Sequence, residues 1–502
     1  MNPARAYLRS RRGRRMTWSD RYAALFGLAL VAAVLGNPVV ATVQGLAAGV
    51  DAGRMGAGLG LLLAAYAGYL ALARFLGPLV LPAADAAWLV LSPLPRRSVL
   101  GRAASVLLAV AAAAGAVLGL AVPAVLGVPD DLAVRLTAAL VLGLGAAVGG
   151  MATAVLAQAS QTWDSWLLTM IAGAVLLAAA AALLGGGPGR QVLLAVAGAP
   201  VAAVVAAAGL AAAVTAGLLR RAWIALDRIP AAKILSASAR GGRVLSAAVT
   251  MDTGALTWVA EDNHWRGRVL RSRPWPGSAP RSAWAAGLAP AWPEWRRAGR
   301  RPGRLALLLG STALPAVAAQ AAGGMSALPV GVLLCGALTA AVAFTTGARR
   351  DGDNPSLARL LAVGPRALMA ARAVLPALAA ALWSSLALAG LAAAGALPGG
   401  PWWLLGPATA PAMAAGALRM ARRRPADHSM PVIETAGAAL PMGPIIWALT
   451  GADLALLGCL PALVALTGPS ASLTASVITQ VLAGAGVLTA YLLRQGRGAG
   501  EG

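Results

Sequence analysis

The residues with the most chemistry to offer in this chain are arginines that follow a proline. Leu94-Pro95-Arg96-Arg97 is followed by Arg102, and Gly364-Pro365-Arg366 by Arg372, the last arginine standing seven residues after its proline in both places. One shift of 270 residues carries Pro95 onto Pro365, Arg96 onto Arg366, Arg102 onto Arg372 and Asp164 onto Glu434. A guanidinium is planar, permanently charged and able to hold a carboxylate or phosphate through paired hydrogen bonds. The chemistry on offer is therefore recognition and ion pairing, not bond making. Two copies on one offset point to a duplicated unit.

Residues for catalysis are sparse. No glycine-rich phosphate loop is present, and the single lysine, Lys233, has no glycine-rich context, so the chain has no such route to ATP hydrolysis. His264 and His428 stand far apart from each other and read as solvated loop residues. Cys335 and Cys459 fall in apolar runs and read as small core residues, with no disulfide framework. Ser384-Ser385 has no nearby histidine in sequence and reads as a helix-packing pair. The chain reads as a non-enzyme with no cofactor and no metal.

The elements that must position these arginines are membrane spans. Of 502 residues, 59% are hydrophobic and 12% charged, and the mean hydropathy is +0.74. Apolar runs of 18 residues or more recur, each long enough to cross a bilayer core of about 30 Å. They are expected at 22–43, 56–81, 99–127, 132–157, 165–184 and 191–219, then at 304–322, 327–347, 367–396, 402–420, 432–467 and 471–493. The run 432–467 contains Pro441, Pro444 and Pro461, and a kinked or broken helix is expected there. The fold class expected is an all-α polytopic membrane protein of about 12 transmembrane helices. Residues 1–219 form a first six-helix half, 220–303 a linker and 304–502 a second six-helix half.

Arginine sets the orientation. With the N-terminus inside, the outer loops hold only Arg54, Arg135 and Arg190, against 38 basic residues elsewhere. Leaving out the fifteen of the long 220–303 segment, the contrast is 23 against three. Both termini are expected to be cytoplasmic, in a multi-pass protein of the cell membrane. Six spans per half give both halves one orientation, a parallel 6+6 repeat. The basic N-terminus, with seven arginines by Arg21, precedes a long run without a clear cleavage site and reads as a retained first span.

The net charge of +24 points to nucleic acid only in a soluble protein. Here the basic residues flank spans, and no nucleic-acid partner is expected. Residues 220–303 interleave fifteen basic residues with Trp223, Trp258, Trp265, Trp275, Trp284, Trp292 and Trp295. Such a segment suits the headgroup layer, with arginines on anionic lipid. The spans hold few ionisable groups. Arg74 is near enough to a cytoplasmic end to snorkel, and Asp453 is a possible intramembrane polar site or the cap of a helix restart.

The stretch Trp88-Leu89-Val90-Leu91-Ser92-Pro93-Leu94-Pro95-Arg96-Arg97-Ser98-Val99-Leu100-Gly101-Arg102 resembles the loop after the second span in permeases of the ABC-2 exporter class. The whole chain resembles a family of large actinobacterial integral membrane proteins laid out like two such permease halves fused. The resemblance implies a short cytoplasmic helix that docks on a separately encoded ATPase, in two copies. It also implies interfacial elbow helices before the first span of each half, at 4–20 and 282–301. Pro95, Arg96, Arg97, Arg102, Pro365, Arg366 and Arg372 would then form the coupling loops, the arginines pairing with acidic ATPase surface or lipid phosphate. Asp164 and Glu434 would pair with neighbouring loop arginines. The second copy departs from the first: Arg97 is matched by Ala367, and Ser92-Pro93 by Ala362-Val363. The alternatives are a non-transporting scaffold or regulator on a degenerate permease fold, and a secondary transporter using Asp453.

Overall fold

Lipid offers no partner to a backbone N–H or C=O, so apolar sequence of this length must satisfy its own backbone as helix. The computed structural model of the chain is accordingly helical. It describes residues 52–81, 83–127, 130–184, 189–249, 258, 291–299, 302–356, 363–423, 432–435, 438–441, 446–447, 449–468 and 472–494. Among these are eight helices long and apolar enough to cross a membrane. A ninth candidate is a pair bent by 57° at residues 343–345. The chain divides into two units at Gly242/Arg243, inside the expected linker.

Unit 1 contains α1 (Ala52–Leu76), α2 (Ala83–Leu89), α3 (Arg96–Leu126), α4 (Leu132–Ala159), α5 (Gln161–Leu184), α6 (Gly189–Ala197) and α7 (Val201–Ala225). A 3-10 turn, Leu226–Arg228, then leads into α8 (Ala231–Val249). The central helix is α4, packed between α3 and α7, while α1 lies along α5. Apolar helices gain no hydrophobic free energy by leaving lipid for each other, so close packing must hold them. Gly143 of α4 faces Gly115 and Gly119 of α3 so closely that any Cβ on Gly143 would overlap the α3 backbone. Tyr66 and Tyr69 donate to the carbonyls of Ala146 and Ala147, both at 3.0 Å, and tie α1 to α4. At the opposite end from the Pro-Arg element, buried Arg135 bonds Asp130 and the carbonyls of Ala197 and Ala199.

Unit 2 contains α9 (Trp292–Gly299), α10 (Pro302–Ser311), α11 (Leu314–Ala322), α12 (Ala327–Val342), α13 (Thr346–Asp353), α14 (Pro365–Ala393) and α15 (Leu405–Ala421). The antiparallel ribbon β1 (Val432–Thr435) and β2 (Ala438–Pro441) follows, then α16 (Ala452–Gly458), α17 (Leu460–Thr467) and α18 (Leu473–Arg494). Here α15 is the central helix, buried along most of its length and packed against α14, α16 and α18. Trp383 of α14 fills the space over Gly336 of α12 and donates to Ser311 Oγ at 2.9 Å.

Four expectations are corrected or narrowed. The twelve expected spans compare with eight candidates among the described residues, and the run 22–43 lies outside them. The run 191–219 is two helices, because Pro200 starts α7 without an N–H to continue α6. The run 402–420 is a 3-10 turn followed by a 17-residue helix. The run 432–467 is not one kinked helix but a ribbon followed by two short helices. Gly451, at φ +103°, stops the chain before α16, and Pro461 stands in the first turn of α17, where a missing N–H costs nothing. Gln480 of α18, fully buried, mends the last break: it accepts from Ala462 N–H (2.9 Å) and donates to Gly458 C=O (2.7 Å).

Candidate functional site

The first Pro-Arg element sits on a small buttress built from the loop, the end of α4, the end of α7 and α8. Gly77, at φ +76°, turns the chain out of α1 into an extended strip. Gln158 holds that strip by accepting from Leu79 N–H (3.3 Å) and donating to Leu79 C=O (3.4 Å). Ser238 Oγ accepts from Leu81 N–H at 3.1 Å. Next, α2 and the turn after it bury Ala86, Val90 and Leu94 against Leu100, Leu226, Ile229 and Ile234. The opposite face is left open: Trp88 is 81% exposed and Leu91 69%.

Pro95 caps α3, and its carbonyl accepts from Ser98 N–H at 2.9 Å. The two arginines that follow turn inward. Arg96 donates to the Ile229 carbonyl. Arg97 donates to the Ile224 carbonyl (3.3 Å) and pairs with Asp227, Nε to Oδ2, at 2.7 Å. The same carboxylate accepts from the Arg97 backbone N–H at 3.2 Å. The C-terminus of α7 leaves carbonyls without helical partners and carries about half a negative charge, and two guanidiniums answer both. Arg96 and Arg97 thus brace the loop against the end of α7. Arg102, one turn on, is exposed and has no side-chain partner among the described residues.

The second copy is built differently. Gly364 caps α14, Pro365 occupies its first turn and Arg366 is exposed without a side-chain partner among the described residues. Arg372 is buried. Its side chain is 9% exposed and pairs with Glu294 (3.1 Å) and with Asp351 (2.8 Å), whose side chains are 5% and 10% exposed. Asp351 is held bidentately, its second contact from Nη2 at 3.1 Å. Gly347 is required there, because a Cβ would collide with the Glu294 carboxylate. Beside this cluster Arg349 stacks over the buried Trp258 ring at 4.0 Å. Arg372 is therefore a structural clamp joining α9, α13 and α14.

The acids fall in three settings. Asp164, in the first turn of α5, forms a bidentate pair with Arg74 in the last turn of α1, at 2.8 and 2.9 Å. Each charge also suits its helix end. Glu434 lies in β1 opposite Ala439, and its side chain is outside the described residues. Asp453 caps α16: Oδ1 accepts from Gly451 N–H (2.7 Å) and Leu454 N–H (2.8 Å), and Oδ2 pairs with Arg419 at 2.9 Å. It stands in the first turn of a seven-residue helix. His264 and His428 lie outside the described residues, among which no cluster able to hold a metal occurs. Cys335 and Cys459 are both free thiols.

A family described as a family of unknown function (DUF6297) matches residues 50–431. The chain belongs to this family. No curated protein and no solved structure matches it. The DUF6297 stretch encloses α1 through α15, with the Arg96/Arg97 brace and the Arg372 clamp. It ends before the ribbon and α16–α18.

Sequence reasoning missed both acidic partners of Arg372 and the Asp227 partner of Arg97. The partners lie 78 and 21 residues from Arg372 and 130 from Arg97. Asp227 had one legible signal, an isolated acid among arginines just after a span. It also missed a basic cavity of about 670 Å³ at the end of α15 and α18, lined by Arg419, Arg422, Arg423, Tyr491 and Arg494.

Proposed function

We propose that this chain is the membrane-spanning subunit of an ABC-2-like exporter, working with a separately encoded ATPase in two copies. The observation that carries the reading is the α2–turn–α3 assembly. A short helix and the turn after it, with Trp88 and Leu91 exposed, are locked at Pro95 onto a 31-residue apolar helix and braced against α7 by Arg96 and Arg97. A partner pressing there would move the α3 span as one piece with the end of α7. Arg102, exposed beside it, supplies a charge for an acidic partner surface. Both termini are cytoplasmic in this reading, which places the Pro-Arg elements on the ATPase side of the cell membrane.

Element positions support a parallel 6+6 repeat. Shifted by 270 residues, α3 falls on α14, α6 (Gly189–Ala197) on α17 (Leu460–Thr467) and α7 (Val201–Ala225) on α18 (Leu473–Arg494). The region matching α5 holds the ribbon instead. The test is co-purification with the ATPase encoded beside the gene. Wild type retains it, and Trp88→Ala/Leu91→Ala loses it while keeping the unfolding midpoint. An intact chain that retains no ATPase at all removes the reading.

One observation favours a second reading, a membrane scaffold or regulator on a degenerate permease fold. The clamp takes up Arg372, the counterpart of the exposed Arg102, so the second copy presents its exposed arginine, Arg366, at a different position. Unchanged export in a deletion strain, with altered assembly of a partner complex, would select this reading. Asp453, engaged as a cap and with Arg419, offers no support to a secondary transporter.

A further inference from the structure

Arginines at a helix C-terminus are ordinary complements of its negative end, but the end of α15 carries more than that. Arg419, Arg422 and Arg423 recur at i, i+3 and i+4 on one face, a spacing at which like charges repel. Across the cavity α18 presents Tyr491 and Arg494, one turn apart. Apart from Thr450, its remaining wall is apolar, including Leu454 and Leu457 of α16 and Val487 of α18. Asp453 is committed to Arg419 and to capping α16. Arg423 lies over Trp447 at 3.5 Å and donates to its carbonyl at 3.1 Å.

Two polar groups at the cavity have no hydrogen-bond or ion-pair partner among the described residues. Tyr491 is 8% exposed, packed on Ala415, Leu418 and Ala421, and its hydroxyl has no hydrogen-bond partner among the described residues. A buried hydroxyl without a partner is costly. Arg494 is exposed at the cavity edge and has no side-chain partner among the described residues. A phosphate answers both at once: it accepts from the phenol and from guanidiniums, which bind it through charged, paired hydrogen bonds. The apolar wall would take the substituent that the phosphate carries.

We propose that this cavity is a binding site for a phosphate group, borne either by an anionic lipid headgroup or by a soluble phosphate compound. Tyr491 and Arg494 are the residues that grip the anion, and Arg419, Arg422 and Arg423 supply the field. The site is independent of the exporter reading, because it is tested on the isolated full chain with no ATPase present.

The probes are inorganic pyrophosphate, added to the chain in uncharged phosphatidylcholine nanodiscs, and phosphatidylglycerol, doped into the same nanodiscs. Binding is read from the rise in unfolding temperature, since a ligand that prefers the native state stabilises it in proportion to its occupancy, and from lipid retained in native mass spectra. The wild type is expected to be stabilised by at least one probe. Tyr491→Phe, which removes only the hydroxyl, and Arg494→Gln, at an exposed position, are each expected to weaken apparent affinity by about tenfold, as loss of one charge-assisted hydrogen bond implies. Arg350→Gln, an exposed arginine elsewhere in the unit, is expected to bind as wild type. Response to phosphatidylglycerol alone assigns the phosphate to lipid, and response to pyrophosphate assigns it to a soluble compound. Absence of response to both probes, or equal affinity in wild type, Tyr491→Phe and Arg494→Gln, overturns the proposal.

Discussion

Replacing Arg372 by methionine should destabilise unit 2 severely, whereas the same change at Arg102, its counterpart 270 residues earlier, should not. Arg372 holds two nearly buried carboxylates at 2.8 and 3.1 Å. At an effective dielectric constant of about 20, each charge pair near 4 Å is worth roughly 4 kcal/mol before desolvation is subtracted. Methionine keeps the volume but leaves Glu294 and Asp351 buried together without their shared cation. Breaking a buried pair in this way costs about 3–5 kcal/mol. Arg102→Met removes no internal contact and should stay within about 0.5 kcal/mol of wild type. The assay is unfolding of the detergent-solubilised chain in SDS, followed by tryptophan fluorescence. Adding Glu294→Gln and Asp351→Asn to Arg372→Met should restore part of the loss, since the stranded charges are gone; the coupling expected is about 1–3 kcal/mol. If Arg372→Met unfolds within about 1 kcal/mol of wild type, the clamp is not structural and the reasoning is refuted.

Other outcomes follow from single contacts. Gly143→Ala should push α4 off α3 and cost about 1–3 kcal/mol, while Gly173→Ala, with nothing within 4 Å of a built Cβ, should be neutral or slightly stabilising; paired thermal unfolding separates them. Gln480→Leu strands the Ala462 N–H and the Gly458 carbonyl, both buried, and should cost about 2–4 kcal/mol, visible as a lowered midpoint in the same unfolding titration. Asp164→Asn should change stability by no more than about 1 kcal/mol, because its pair with Arg74 is about one-third exposed, and the difference should vanish in 1 M salt.

The spans were legible where one apolar run is one helix. The expected 99–127, 132–157 and 165–184 compare with α3 at Arg96–Leu126, α4 at Leu132–Ala159 and α5 at Gln161–Leu184. Hydropathy reports composition, not whether each backbone N–H has a carbonyl to bond, so it ran through the breaks at Pro200 and Gly451. The 270-residue offset located both Pro-Arg elements, yet not their different surroundings. Arg102 and Arg372 have the same spacing from proline, but only Arg372 has Asp351 and Glu294 brought to it by α13 and α9. The mismatch of Arg97 with Ala367 was legible, and its meaning is physical: alanine cannot make the clamp that Arg97 makes with Asp227. The cavity at Arg494 needed the fold, because α15 and α18 meet across more than seventy residues of sequence.

The central claim is that the exposed Trp88 of α2 and Leu91 of the turn after it receive an ATPase. The most direct measurement is ATP hydrolysis by the neighbouring ATPase reconstituted with the full chain in lipid. Wild type should stimulate it, and Trp88→Ala/Leu91→Ala, folded to the same unfolding midpoint, should return it to the rate of the ATPase alone. Stimulation that survives this double substitution, or a wild-type chain that leaves the rate unchanged, contradicts the account.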